Sequence, residues 1–136
     1  MRRVPIDALT PYAHVADVQR SIDFYGRLGL EVRNRHPAEG RVEWAFLTES
    51  GDHANRALAR LMLGVADEPV EREKQGVLFY CWSPDVRGLR EDLIAAGTEV
   101  GPVQHPFYMQ AGEFSVTDPD GYVVIVGQLD APLSAS

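Results

Sequence analysis

An α+β fold of two β-α-β-β-β modules is predicted by three features of the sequence. The first is an internal repeat. Asp17-Val18 returns as Asp85-Val86, Gly29 as Gly97 and Glu31-Val32 as Glu99-Val100, all at a constant offset of 68 residues. The second is what those residues do for a backbone: Asp caps a helix N-terminus, and Gly adopts the left-handed conformation just past a helix C-terminus. The third is the period-two alternation of apolar residues on either side of each helix, which marks strands. A repeat spanning about half the chain implies two similar units around one site. They fall at residues 7–63 and 76–129 of a single domain covering 1–136, with the charged, Pro-containing segment 64–75 as the linker.

In module one, residues 1–6 are a lead-in and 7–15 a strand, demoted toward an edge by Pro11. Thr10, Tyr12 and His14 share one face of it, and Leu9, Ala13 and Val15 the other. Asp17 opens a helix whose buried stripe is Val18, Ile22, Tyr25 and Leu28. Strands follow at 30–36, 41–48 and 57–63, separated by a turn at 37–40 and a polar loop at 50–55. Module two repeats the order. A strand at 76–83 precedes a helix from Asp85 to Ala96 with the stripe Val86, Leu89 and Leu93, and strands follow at 98–104, 113–117 and 122–128. Asp118-Pro119-Asp120-Gly121 is a hairpin turn, with Pro presetting the first corner and Gly supplying positive φ. The tail from Leu129 is expected to fray.

Composition narrows the function. The hydrophobic share of 45% and charged share of 24% are those of a soluble globular protein. No apolar run approaches the roughly 18 residues of a membrane span, and the first residues carry no secretory pattern. One cysteine, Cys81, permits no intrachain disulfide, which makes the cytoplasm the default compartment. The net charge of −7 argues against a nucleic-acid partner and accords with a neutral or cationic small molecule. Cys81 falls on the convex face against the second helix, where it is expected as a buried small hydrophobe.

The segment Val15 to Gly29, the duplicated modules and the D-P-D-G-Y hairpin from Asp118 to Tyr122 resemble the vicinal oxygen chelate superfamily. That superfamily includes glyoxalase I, extradiol dioxygenases and the bleomycin-resistance-type binding proteins. The resemblance covers residues 7–129 and speaks for the fold more than for any one activity. It implies a curled mixed sheet with helices on its convex side, a concave ligand cup and, commonly, a homodimer that sometimes exchanges modules. The family's enzymes hold a divalent metal in the cup through four His or Glu side chains, and the metal serves as a Lewis acid. Carried onto this chain, those positions fall on Thr10, Leu78, Ile125 and Arg60, or Met62 two residues on. This set cannot hold a catalytic metal. His14, Glu43, His105 and Glu113 are further donors, with no H-x-x-x-H or C-x-x-C pairing among them. No metal, no other cofactor and no catalytic residue is therefore expected.

What the cup retains is aromatic. Alternation assigns to it Tyr12 and His14, Trp44 and Phe46, Arg60 and Met62, then Leu78, Tyr80 and Trp82, and last Val123 and Ile125. Flat aromatic walls suit a planar ligand, and Arg60 could receive an anionic group or pair with an acid such as Glu43. The irregular segment 104–113 supplies His105, Tyr108, Met109 and Gln110 as candidates for a lid, or packs as an irregular strand broken by Pro106. The expectation is a non-catalytic binder of a small aromatic or cationic molecule. The alternative is a divalent-metal lyase, isomerase or dioxygenase with displaced ligands, and a third reading is a metal-free enzyme using His14 or a tyrosine as acid–base.

Overall fold

The computed structural model describes residues 5–6, 8–51 and 57–129. The order is β1 (Tyr12–Val15), α1 (Val18–Arg27), β2 (Leu30–His36), β3 (Trp44–Glu49), β4 (Arg60–Val65), β5 (Leu78–Ser83), α2 (Val86–Ala95), β6 (Glu113–Thr117) and β7 (Val123–Gln128). They form two sheets rather than one: β1-β4-β3-β2 and β5-β7-β6. In each, the first strand of the module runs parallel beside the last, with Tyr12 opposite Met62 and Tyr80 opposite Ile125. α1 packs on β2, β3 and β4, and α2 on β5, β6 and β7.

The helices form where the repeat places them. Asp17 accepts from the Arg20 N–H, and Asp85 accepts from the Gly88 N–H at 2.9 Å. Gly29 and Gly97 follow the helix ends with φ of 92° and 82°. Both stripes are adjusted. On α1 the buried residues are Val18, Ser21, Phe24 and Tyr25, with Ile22 and Leu28 at the rim. On α2 they are Val86 and Leu93, with Leu89 partly covered. The inner rows Ala13/Val15, Ala45/Leu47, Leu61/Leu63 and Val124/Val126 complete the core. Ser21 is buried because its hydroxyl donates to Asp120 in the other module.

Strand limits differ from expectation at several points. β1 is only four residues long. Pro11 has no N–H for the ladder, so Leu9 is exposed rather than turned inward, and Thr10 precedes the strand. β3 and β4 start later than expected, β4 runs on to Val65, and the linker expected at 64–75 contains a 3₁₀ turn at Arg72–Lys74. The expected strand 98–104 does not form. Val100 and Gln104 make isolated bridges to Val116 and Glu113, and Pro102 between them cannot donate. Of the loop expected at 50–55, residues 52–55 lie outside the described residues, as does the tail beyond Leu129. Cys81 is exposed rather than packed as a core residue, though partial burial of the thiol still pushes it up.

The D-P-D-G turn does more than reverse the chain. Asp118 and Asp120 are fully buried against module one. Asp120 accepts from the Ala16 N–H at 2.8 Å and from the Ser21 hydroxyl at 3.3 Å, and Asp118 accepts from the Tyr25 hydroxyl at 2.7 Å. The negative charge of Asp120 thus sits at the start of α1, where the helix dipole favours it. Burial is the main cause that raises the Asp118 carboxyl above its ordinary range, and it pushes the Tyr25 phenol up as well. Arg72 of the linker donates to the Pro119 and Asp118 carbonyls, and Tyr122 donates to the His14 carbonyl at 3.2 Å. The turn joins the modules.

Candidate functional site

Alternation puts the expected residues on the sheet faces opposite the helices. On the first sheet, Tyr12, Met62 and Phe46 form one cross-strand row, and His14, Gly64 and Trp44 the next. On the second, the matching rows are Tyr80, Ile125 and Ser115, then Trp82, Gly127 and Glu113. Met62, not Arg60, is therefore the structural counterpart of Ile125. Arg60 lies opposite Thr48 at the start of β4 and donates to the Ala57 carbonyl at 2.7 Å.

The second sheet carries an open pocket of about 440 Å³, lined by Leu78, Tyr80, Trp82, Tyr108, Met109 and Ile125. The Tyr80 ring lies 5.1 Å from Trp82 and 6.3 Å from Tyr108, centroid to centroid, each at a steep angle. Tyr108 and Met109 come from the irregular segment, which folds over the sheet. Gln104 bridges to Glu113, the Met109 N–H donates to the Pro106 carbonyl, and His105 Nδ1–H donates to the Gln110 carbonyl. His105 is thus spent on the loop itself and does not line the pocket. Tyr12, His14, Trp44, Phe46, Arg60 and Met62 line none of it: they belong to the separate face of the first sheet. There the Tyr12 and His14 rings lie 5.0 Å apart.

Behind the pocket is a polar group that alternation did not single out as a binding residue. Glu113 is 7% exposed. Its Oε1 accepts from the Tyr80 hydroxyl at 2.8 Å, and its Oε2 from the Tyr108 hydroxyl at 3.2 Å. Gly127, directly across the ladder, makes this possible, since a Cβ there would come within 2.7 Å of the Tyr80 hydroxyl oxygen. The Tyr80 phenol is pushed up to about 12, chiefly by burial, then by the hydrogen bond and charge of Glu113. The Tyr108 phenol is raised by the same causes in the same order. The legible signal was the pairing of a glycine with a tyrosine on the neighbouring strand, repeated as Gly64 with Tyr12.

The family's metal positions do not fit a divalent ion. Leu78 and Ile125 are pocket walls without donor atoms, Met62 stands where Ile125 has its counterpart, and Arg60 is a cation. Among the described residues no three His, Cys, Asp or Glu side chains converge on a common point.

Two half-open sheets with helices behind them and aromatic rings in front define a paired-module α+β scaffold. The chain belongs to the Glyoxalase/Bleomycin resistance protein/Dioxygenase superfamily, whose family model matches residues 8–126. No curated protein matches it in sequence. Among solved structures it is similar to a bleomycin-binding protein complexed with bleomycin, at 16% identity and TM-score 0.68, covering 92% of this chain and 100% of that one. It is similar to a bleomycin resistance determinant encoded on transposon Tn5, at 16% identity and TM-score 0.69, covering 93% and 100%. A third is TnmS3, an antibiotic binding protein from Streptomyces sp. CB03234, at 20% identity and TM-score 0.67, covering 93% and 98%. At these identities the likeness is one of fold.

Proposed function

We propose that this protein binds a small aromatic molecule without transforming it, and that the ligand sits in the cup over the second sheet. The observation that carries this reading is the open pocket walled by Tyr80, Trp82 and Tyr108 and floored by Leu78, Met109 and Ile125. Three rings at steep mutual angles offer faces and edges to a planar ligand, and an apolar floor with few polar groups is the usual make-up of a binding pocket. Leu78 and Ile125, at family metal positions, contribute apolar surface instead of ligands. The bleomycin-binding and antibiotic-binding neighbours point the same way.

The reading extends to the open face of the first sheet. Tyr12, His14, Trp44, Phe46 and Met62 form one wall of a cup, with no second wall among the described residues. A second copy of the chain supplies it, so the functional unit is a homodimer. The protein acts inside the cell on a diffusible ligand, without nucleic acid or membrane.

The test is a panel of planar aromatic compounds, neutral and cationic, titrated against tryptophan fluorescence. A ligand is expected that shifts the emission and whose affinity falls at least about tenfold in Trp82→Ala, with the melting temperature of the variant unchanged. A panel without a single response overturns the reading. So does stoichiometric divalent metal in protein purified without chelator together with turnover of a bound compound.

A further inference from the structure

Glu113 has the attributes of a counter-charge rather than of a structural carboxylate. It is buried, it carries a formal negative charge into a largely apolar region, and among the described residues no Lys, Arg or His pairs with it. Its partners are two phenols, both of which belong to the pocket wall. A buried carboxylate held only by neutral donors is an expensive arrangement. The matching place in module one, opposite Gly64, is occupied by Trp44, so the fold does not require an acid there.

The two hydrogen bonds also decide what the pocket presents to a ligand. Each hydroxyl proton is committed to Glu113, so the oxygens of Tyr80 and Tyr108 have only lone pairs left to offer. Donation to a carboxylate makes both rings richer in electrons, and Trp82 beside Tyr80 offers the best cation-accepting face of any side chain. Rings, phenol oxygens and the carboxylate behind them all favour positive charge at one place.

We infer that Glu113, acting through Tyr80 and Tyr108 and with Trp82 as a wall, forms a subsite for an organic cation, a substituted ammonium group on the ligand. The inference rests on the binding reading above and names the chemistry of that ligand. Glu113 is a positioning and charge-supplying residue: it polarises the phenols, and they with Trp82 touch the ligand.

The test compares 4-(trimethylammonio)phenol with 4-tert-butylphenol, which has the same shape without the charge. Binding is followed through the Trp82 indole N–H resonance, assigned by its loss in Trp82→Phe. The cation is expected to bind about tenfold tighter or better to the wild-type protein. In Glu113→Gln the ratio is expected to approach one, with the neutral compound's affinity held within about twofold. Should that variant not fold, Tyr108→Phe removes one polarised oxygen and is expected to shrink the ratio severalfold. Equal affinities in the wild type overturn the cation subsite and leave aromatic binding standing. A preference undiminished in Glu113→Gln, or in Tyr108→Phe where that variant is used, overturns the role of Glu113. If neither probe moves Trp82 while compounds of the earlier panel do, the subsite falls alone; if none does, both readings fall.

Discussion

Tyr80 shows how one side chain ties stability to the site. Its phenol is held protonated up to about 12, first by burial and then by the Glu113 hydrogen bond and charge. Because the folded state keeps the proton more tightly than the unfolded one, Tyr80 adds stability that is complete below the ordinary tyrosine range. That stability is lost as pH rises through about 12. Absorbance titration of phenolate formation is expected to show Tyr80 as a late step, identified by its loss in Tyr80→Phe. In Glu113→Gln the step should move toward the ordinary range without reaching it, because burial persists. A Tyr80 step indifferent to Glu113 would mean that the hydrogen bond is not made. At this scale the sequence was partly legible. Alternation sets Tyr80, Trp82 and Ile125 on one sheet face, because a strand's period leaves no other choice, and all three line the pocket. Glu113 was read only as a spare metal donor, since an acid at the start of a strand looks solvated until Tyr108, brought over by the loop, is seen to cover it.

Elements formed where local chemistry punctuates the chain and drifted where it does not. Asp17 with Gly29 and Asp85 with Gly97 fixed both helices. The strand expected at 98–104 reduced to two bridges because Pro102 interrupts it, and β1 shortened behind Pro11. The D-P-D-G turn was legible as a turn, but not as the joint between modules, since nothing local signals that Asp118 and Asp120 are buried by α1. Gly121 tests this joint. Its φ is +93°, and a Cβ would fall on the Arg72 carbonyl of the linker, a backbone atom that cannot swing aside. Gly121→Ala is expected to destabilise by about 1–3 kcal/mol from the left-handed conformation alone, and by more from the collision, read as a lower urea midpoint. Gly26 in α1 meets nothing within 4 Å, so Gly26→Ala should raise the midpoint, by about 0.5–1 kcal/mol. A loss at Gly121→Ala no larger than the conformational cost alone would show that the Arg72 segment does not rest on the turn.

The whole molecule holds two open faces on separate sheets, and among the described residues a loop segment lies over the second. The irregular segment 104–112 lays Tyr108 and Met109 over the second sheet, whereas its counterpart before β3 is the short turn at 37–43. Tyr12 is 49% exposed, Leu78 and Trp82 52% and Tyr108 56%, so large apolar groups stand open on both faces. A chain acting alone would leave these rings in water, and binding a ligand between two walls requires the second wall. The repeat offers a simple remedy. The two modules share one architecture, with Tyr12 over Gly64 and Tyr80 over Gly127, so a two-fold axis between copies could bring a module-one face opposite a module-two face twice over. Sedimentation equilibrium is expected to give twice the chain mass of 15.1 kDa. Trp44→Glu, which sets a charge in the first wall, is expected to weaken both the dimer and ligand-induced changes at Trp82 on the partner's side. A protein that sediments as a monomer and still binds ligand with full affinity would show that the second-sheet pocket is complete in itself, and that the first face serves some other end.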